Sequence, residues 1–390
     1  MTDTTHDTND DLTELIADLV SIETENPPGN EARCTDFIAE WFDERGIGTE
    51  IVEEPYPDRP QVAARVGEGD PVVVLNGHID VVPAGDREGW SQPPYGAEVE
   101  DGHLYGRGSV DMKTGVALAM CTAADLSGPL ESGDLDGTIV VQAAIGEETA
   151  EPGTRELIEA GYGGDYAIVL EPTGMRTATS EKGLAWYEIT VSGEPSHASR
   201  PDQGVNAIRQ ARPVLDALDA YDEEVRERTD DLVGRAYATV TEIEAGTKEN
   251  VVPERAVITI DRRFLPAETP AEIDTEIDEM LAGVANEHDV DVSWERTRTY
   301  DSAAIPTDSA LAEVVREHSA EIAGVSSEPW GVQASTDVRN FVHEGVEAIT
   351  WGPGDLAQAH TYDECVDLDA AATGLEVLER SVETLLQESP

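Results

Sequence analysis

The stretch "PVVVLNGHIDVV", residues 71–82, decides the architecture. Val72 to Leu75 form an unbroken apolar run, closed by Asn76 and Gly77. A short apolar run ended by turn residues reads as a buried strand. This one delivers His78 and Asp80 as soon as it ends. The pattern recurs. "DGTIVVQAAIG" (136–146) leads straight into Glu147 and Glu148, and "DYAIVLEP" (165–172) carries Glu171 just past its apolar core. An Ala-rich helix over 112–126 and a helix near 153–160 separate these strands. Apolar strands alternating with helices predict an α/β domain with a mostly parallel core. In such a sheet ligands bind beyond the carboxyl ends of the strands.

Working outward, residues 1–9 read as a polar tail containing His6, followed by helices over 11–22 and 29–46. Strands follow at 48–53 and 61–66, and "DGHLYGRG" (101–108) reads as a hairpin arm. The register changes after about 181. "LAWYEITVSG" (184–193) alternates with period 2, and then come a helix (204–221), strands near 236–243 and 255–263, a helix (270–287) and a strand near 289–294. That order, β-α-β-β-α-β, is the ferredoxin-like pattern. From about 300 the α/β register returns, with a helix at 308–323, a strand at 346–351 and a last helix at 368–386. The expected partition is a first catalytic segment (1–181), an inserted domain (182–297) and a second catalytic segment (298–390).

Lys plus Arg number 25 and Asp plus Glu 82, a net charge of −57 spread along all 390 residues. Charge of this kind speaks to solubility and partners, not to fold. It argues against nucleic acid and anionic membrane surfaces as partners. The same bias suits a cytoplasm rich in KCl, where screening shortens the Debye length to about 3 Å at 1 M, so a halophilic archaeal source is expected. Cys34, Cys121 and Cys365 are far apart and odd in number, which fits neither a disulfide framework nor a zinc ribbon. The start "MTDTTHDTNDD" lacks a basic and an apolar signal region, and no run of about 18 apolar residues occurs. A cytoplasmic protein is expected.

Of eight histidines, His288 and His318 sit in acidic helical segments, His103 at the hairpin and His343 in "FVHEG". His78, His197 and His360 have more suggestive settings. Asp111 follows the Gly-rich turn "YGRGSVD" and opens the apolar helix. Imidazole and carboxylate are what zinc accepts. His78, Asp111, Glu148, Glu171 and His360 could hold two zinc ions, with Asp111 between them. Asp80 would then orient His78, since a ligating histidine commonly donates its other N–H to a carboxylate.

The motifs "NGHIDVVPAGD", "GRGSVDMKTG", "GEE", "LEPT", "SGEPSHASRPDQGVNAI", "NVVP…DRRF" and "GPGDLAQAHTYDE" stand in the order found in the M20 zinc amidohydrolases. The chain resembles that family from about residue 12 to 385, most closely the acetylornithine deacetylase and succinyl-diaminopimelate desuccinylase group. The resemblance implies a zinc-peptidase-like α/β domain with a mixed sheet, interrupted by a ferredoxin-like lid and dimerisation domain. It implies two zinc ions per subunit, with Co²⁺ or Mn²⁺ as substitutes. His78, Asp111, Glu148, Glu171 and His360 match its ligands, Asp80 the orienting carboxylate and Glu147 the general base. His197, Asn250 and Arg263 resemble its substrate-binding residues, His197 reaching the partner subunit's site. "ASTDVR" (334–339) resembles a Thr-Ser-Asp loop with the first two residues exchanged. The implied activity is cleavage of an N-acyl amino acid by a homodimer, with a dipeptidase or carboxypeptidase, or a non-catalytic binding relative, as alternatives.

Overall fold

The computed structural model describes residues 4–387, with side chains from Asp10 onward. Helix α1 (Thr4–Ser21) begins within the expected polar tail. No Gly or Pro interrupts residues 4–10, and Thr and Asp suit a first helical turn. The side chain of His6 lies outside the described residues.

Two compact units divide the chain. One gathers the residues up to Thr179, Ile305–Gly331, and those from Thr336 on; the other comprises Ser180–Ala304 and Val332–Ser335. In the first, α1 and α2 (Ala32–Asp43) precede strands β1 (Thr49–Val52), β2 (Gln61–Glu68) and β3 (Val72–His78). A hairpin β4 (Glu98–Glu100) and β5 (His103–Tyr105) leads to α3 (Lys113–Ser132). Then come β6 (Gly137–Ala144), the short α4 (Gly153–Leu157), β7 (Tyr166–Val169) and β8 (Ala178–Glu181), of which Ser180 and Glu181 fall in the second unit.

The second unit holds β9 (Gly183–Ser192), α5 (Ala207–Val225), β10 (Tyr237–Ala245), β11 (Arg255–Phe264), α6 (Pro270–His288) and β12 (Asp291–Tyr300). Its antiparallel sheet has the order β10-β11-β9-β12, that of a ferredoxin-like fold. Every second residue of β9 and β11 is buried, and Tyr187, Ile189, Val191, Ile258 and Ile260 form its core with Val214, Leu218, Ile273 and Ile277 of the two helices. Asn206 caps α5, and Thr269 with Glu272 forms a capping box on α6. The unit reaches past the expected boundary at 297 because β12 runs on to Tyr300.

The first unit resumes with α7 (Ala310–His318), α8 (Val338–His343), β13 (Glu347–Thr350), β14 (Cys365–Asp367) and α9 (Leu368–Gln387). Its main sheet runs β1-β2-β6-β3-β7-β13, and Thr350 of β13 meets Ala178 of β8. β3 pairs parallel with both β6 and β7, and β7 pairs parallel with β13, whereas the β1–β2 and β2–β6 pairs are antiparallel. The mixed sheet thus has a parallel centre. Val73, Leu75, Ile139, Val141 and Ile168 pack with α3 and α9 in one apolar core. Gly115 of α3 lies so close to β7 that a Cβ there would meet the Leu170 carbonyl oxygen at 2.3 Å. Only glycine permits that approach, and it fixes the strand end beside Glu171. His318, in its acidic helical segment, is half-buried and bonds the Thr384 hydroxyl at 2.9 Å. His343 of "FVHEG" ends α8.

Candidate metal centre

β3, β6 and β7 run parallel side by side, and their carboxyl ends deliver the chemistry. His78 is the last residue of β3 and pairs with Ala144 at the end of β6. Beyond β6 the chain turns at Gly146 (φ 81°), and a single helical turn, Glu147–Thr149, carries the adjacent glutamates. The left-handed φ favours glycine at that position. Glu171 follows β7, Asp111 precedes α3, and His360 comes from the loop before β14, itself at φ 64°.

These residues converge. His78 Nε2 lies 3.2 Å from Asp111 Oδ1 and 3.7 Å from Glu171 Oε1. His360 Nε2 lies 3.2 Å from Asp111 Oδ2 and 3.1 Å from Glu148 Oε2. The Asp111 carboxylate therefore stands between two imidazoles and offers one oxygen to each. Two half-sites share it: His78 with Glu171, and His360 with Glu148. One donor atom from each of His78, Asp111 and Glu148 fits within 4.8 Å of the others.

Five carboxylates, those of Asp80, Asp111, Glu147, Glu148 and Glu171, gather here in a largely buried space. Two like charges 4 Å apart repel by about 4 kcal/mol at an effective dielectric of 20, so the cluster requires positive charge. The protonation states express that demand. Burial alone would depress His78, but its bond to Asp111 and the charges of Glu171 and Asp80 raise it well above its ordinary value. His360 is pushed up to about 10, first by its bond to Asp111 and then by its bond to Glu148. Burial lifts Glu147 and Glu171 well above the usual carboxylate range. Asp80 Oδ1 is buried with no hydrogen-bond donor in reach, 3.6 Å from His78 Nδ1. An all-oxygen and imidazole donor set with this charge deficit fits divalent metal.

One expectation needs correction. The acceptor nearest His78 Nδ1 is the main-chain oxygen of Asp80, at 2.8 Å, not the Asp80 carboxylate. Just past the end of β3, the backbone turns the Asp80 carbonyl toward the ring. The carbonyl fixes the tautomer with Nδ1 protonated, leaving Nε2 directed at Asp111 and Glu171. The Asp80 carboxylate instead accepts from Asn26 Nδ2 (3.0 Å) and from the Glu148 amide (3.3 Å). It ties β3 to the turn that carries the glutamates.

Glu147 is set apart from the donor pairs. Its Oε1 lies 4.0 Å from Arg339 Nη1, and Arg339 in turn pairs with Asp337 at 3.2 Å. Asp337 accepts from Thr154 Oγ1 at 2.6 Å, and Thr154 accepts from Asn76 of β3 at 2.9 Å. The "ASTDVR" segment thus supports Glu147 through Asp337 and Arg339. Ser335 belongs to the second unit, where its hydroxyl donates to the Lys182 carbonyl.

His197, Asn250 and Arg263 also belong to the second unit. His197 bridges Val251, and the Ala198 amide donates to the Asn250 carbonyl, so His197 and Asn250 are neighbours. His197 is exposed, and its Nδ1 accepts from the Ser199 amide at 3.1 Å. Arg263 is not with them. It pairs with Leu184, near the start of β9, and holds Asp261 at 2.7 Å. His197 lies beyond Ser192, at the other end of that strand.

Sequence reasoning missed the residues that hold this centre in place. Glu364 accepts from Arg107 (2.6 Å) and from the amides of Val110 (2.9 Å) and Asp111 (3.1 Å). Lys113, fully buried, donates to the carbonyls of Leu19 and Ile22 at the end of α1. Asn26, Arg59, Thr149 and Glu151 form a further network. Glu364 lies within a quoted motif, yet in a chain with 82 acids a lone glutamate carries no signal.

The family model for "Peptidase family M20/M25/M40" matches residues 74–384. The chain belongs to that peptidase family. This M20 protein is 27% identical to a probable succinyl-diaminopimelate desuccinylase of Staphylococcus aureus, over 96% of this chain and 97% of the relative. It is similar in fold to an M20 family metallo-carboxypeptidase of Sulfolobus solfataricus, with TM-score 0.78 and 16% identity over 99% of this chain and 100% of the other. It is similar also to the YXEP protein of Bacillus subtilis, described as a dinuclear metal binding peptidase, with TM-score 0.72 and 18% identity over 98% and 99%. As an M20 enzyme it is a hydrolase of amide bonds. Among its described residues no helix is long and apolar enough to cross a membrane.

Proposed function

We propose that this M20 enzyme is a di-metal deacylase that cleaves the amide bond of an N-acyl amino acid, of the succinyl-diaminopimelate desuccinylase or acetylornithine deacetylase type. His78, Glu171 and Asp111 would hold one ion, and His360, Glu148 and Asp111 the other. Zinc suits this donor set, and cobalt or manganese could replace it. Bound there, divalent ions supply Lewis acidity that polarises a carbonyl and acidifies water.

The observation that carries the reading is Glu147. A protein that only stored metal would need ligands alone. Glu147 is half-buried beside the donor pairs, its side chain 12% exposed, outside both of them and 4.0 Å from Arg339. Burial first raises its carboxyl well above the usual carboxylate range, the direction that suits a group exchanging a proton near neutrality. It accepts a proton from the attacking water and returns that proton to the leaving amine. The name borne by the Staphylococcus relative favours a succinylated diamino acid. The carboxypeptidase with the same fold keeps a peptidase as the second reading.

The same reading takes the second unit as a lid and dimerisation domain. From Leu184 to Ser192 is eight steps along β9, roughly 26 Å at 3.3 Å per residue. One N-acyl amino acid cannot touch Arg263 and His197 of a single subunit. If both bind substrate, His197 and Asn250 come from the partner. β10 is an edge strand with Ile243 about half exposed, and Val205 and Ile208 are exposed near the start of α5. An open edge with apolar side chains invites strand pairing with a second copy.

A panel of N-succinyl and N-acetyl diamino acids, dipeptides and tripeptides, assayed with added zinc, tests the assignment. The deacylase reading expects the acylated amino acids to give the highest kcat/KM. Preference for peptides would establish the peptidase, and no turnover of any amide would sink both.

A further inference from the structure

The segment "TENPPGNE" (24–31) lies far from every motif used so far, yet it reaches the centre. The Thr24 hydroxyl donates to the Ile79 carbonyl at 2.6 Å. Glu25 and Val81 form a parallel bridge, through Asn26 N to Val81 O (2.9 Å) and Val81 N to Thr24 O (3.0 Å). The "HID" turn is therefore underlaid by a short extended strip. That strip places Asn26, itself only 4% exposed, against Asp80.

The Asn26 amide nitrogen has two hydrogens and three oxygen neighbours. It lies 3.0 Å from Asp80 Oδ2, 2.7 Å from Thr149 Oγ1 and 3.1 Å from Glu151 Oε2. Thr149 Oγ1 donates to Glu151 Oε2 at 2.8 Å. A consistent assignment follows: Asn26 gives one hydrogen to Asp80 and one to Thr149, and Thr149 passes its own to Glu151. Glu151 is held in turn by Arg59 Nη1, 2.8 Å from each of its oxygens. Arg59 is anchored by the fully buried Glu31 through a second, two-point pairing at 3.0 and 2.6 Å. The chain from Glu31 to Asp80 is continuous.

We propose that Asn26 is a positioning residue of the metal centre, and that the Glu31–Arg59–Glu151–Thr149 chain is the brace that aims it. Asn26 joins the two elements that carry the donors. Through Asp80 it holds the end of β3, and through Thr149 it holds the turn bearing Glu147 and Glu148. Its neutral amide suits the task. It satisfies Asp80 Oδ2 without adding a positive charge that would compete with a cation, and it leaves Oδ1 turned to His78. An aspartate in its place would set a third carboxylate against Asp80 and Glu151. This inference rests on the metal-centre reading above. It goes beyond that reading by assigning function to residues that touch no donor of either half-site.

The test measures zinc affinity of the full-length protein by competition with a chromophoric chelator, alongside kcat, KM and the melting temperature of the metal-free form. Groups that orient ligands from behind are worth about 10–100-fold in metal affinity or activity. Asn26→Leu, close to isosteric and without a donor, should weaken zinc binding within that range and lower kcat with little change in KM. Asn26→Asp should do worse than Asn26→Leu. Glu151→Gln, which loosens the brace without touching Asp80, should move both quantities in the same direction by less. A melting temperature of the metal-free form that stays near the parental value separates positioning from a merely structural role. Parental zinc affinity and kcat in Asn26→Leu would overturn the proposal. So would losses fully matched by a lower melting temperature of the metal-free form. If Asn26→Leu does not fold, Glu151→Gln decides: weaker zinc binding supports the brace, and unchanged binding overturns it. A parental protein that takes up no zinc would refute the metal reading itself, and the brace with it.

Discussion

Removing Glu364 should cost the first unit far more than removing its partner Arg107. The pair is buried, with side chains 0% and 4% exposed and an Nη1–Oε2 distance of 2.6 Å. Breaking such a pair from one side costs about 3–5 kcal/mol, because the surviving charge is stranded. The two survivors differ. In Glu364→Leu the guanidinium cannot release its proton, and the amides of Val110 and Asp111 lose their acceptor as well. Each orphaned amide adds about 1–3 kcal/mol, so with the stranded charge the total is about 5–11 kcal/mol. In Arg107→Leu the carboxyl keeps both amide donors and can take up a proton, which holds the cost to about 1–3 kcal/mol. Urea unfolding followed by tryptophan fluorescence reads the difference, since Trp90 is buried against the Arg107 guanidinium, 5.1 Å from ring centroid to Cζ. The midpoint should fall at least about twice as far for Glu364→Leu. Equal shifts, or a larger shift for Arg107→Leu, would refute the accounting.

Two further outcomes follow from other parts of the molecule. Glu379 of α9 is pushed up to about 8, by burial first and then by its bond to Asp125. A carboxyl raised in this way stabilises the fold fully below about 4.5 and loses that contribution as pH rises through about 8. Glu379→Gln should therefore melt higher than the parent at pH 8 and match it near pH 4.5, in thermal melts across that window; a constant offset would count against the titration. Ile243→Asp, on the open edge of β10, should convert dimers to monomers by light scattering while leaving the second unit folded, and an unchanged mass would remove that edge from the interface.

The strands were legible because each is an apolar run closed by a turn residue, and the site was legible because the acids stand directly past those runs. Position relative to a strand end singled out Glu147, Glu148 and Glu171 among the acids. The inserted unit announced itself by the change to period 2 at "LAWYEITVSG". What could not be read were contacts between distant segments. Nothing local links Asn26 to Asp80, or Glu364 to Asp111, since only the fold brings them within 3.1 Å. The contact expected between Asp80 and His78 differs for a related reason. Side-chain spacing predicted a carboxylate–imidazole bond, and the main-chain carbonyl of the same residue took the place. The hydrophobic pattern places side chains on faces and is silent about where a carbonyl points.

The central claim is that five donors hold two ions while Glu147, outside both half-sites, moves the proton. Glu147→Gln tests it most directly, with bound metal per subunit and kcat measured on one preparation. The account predicts two ions retained and kcat lowered by at least about 100-fold, the lower end for loss of a general base. Parental turnover in that variant, or loss of metal along with activity, would contradict it.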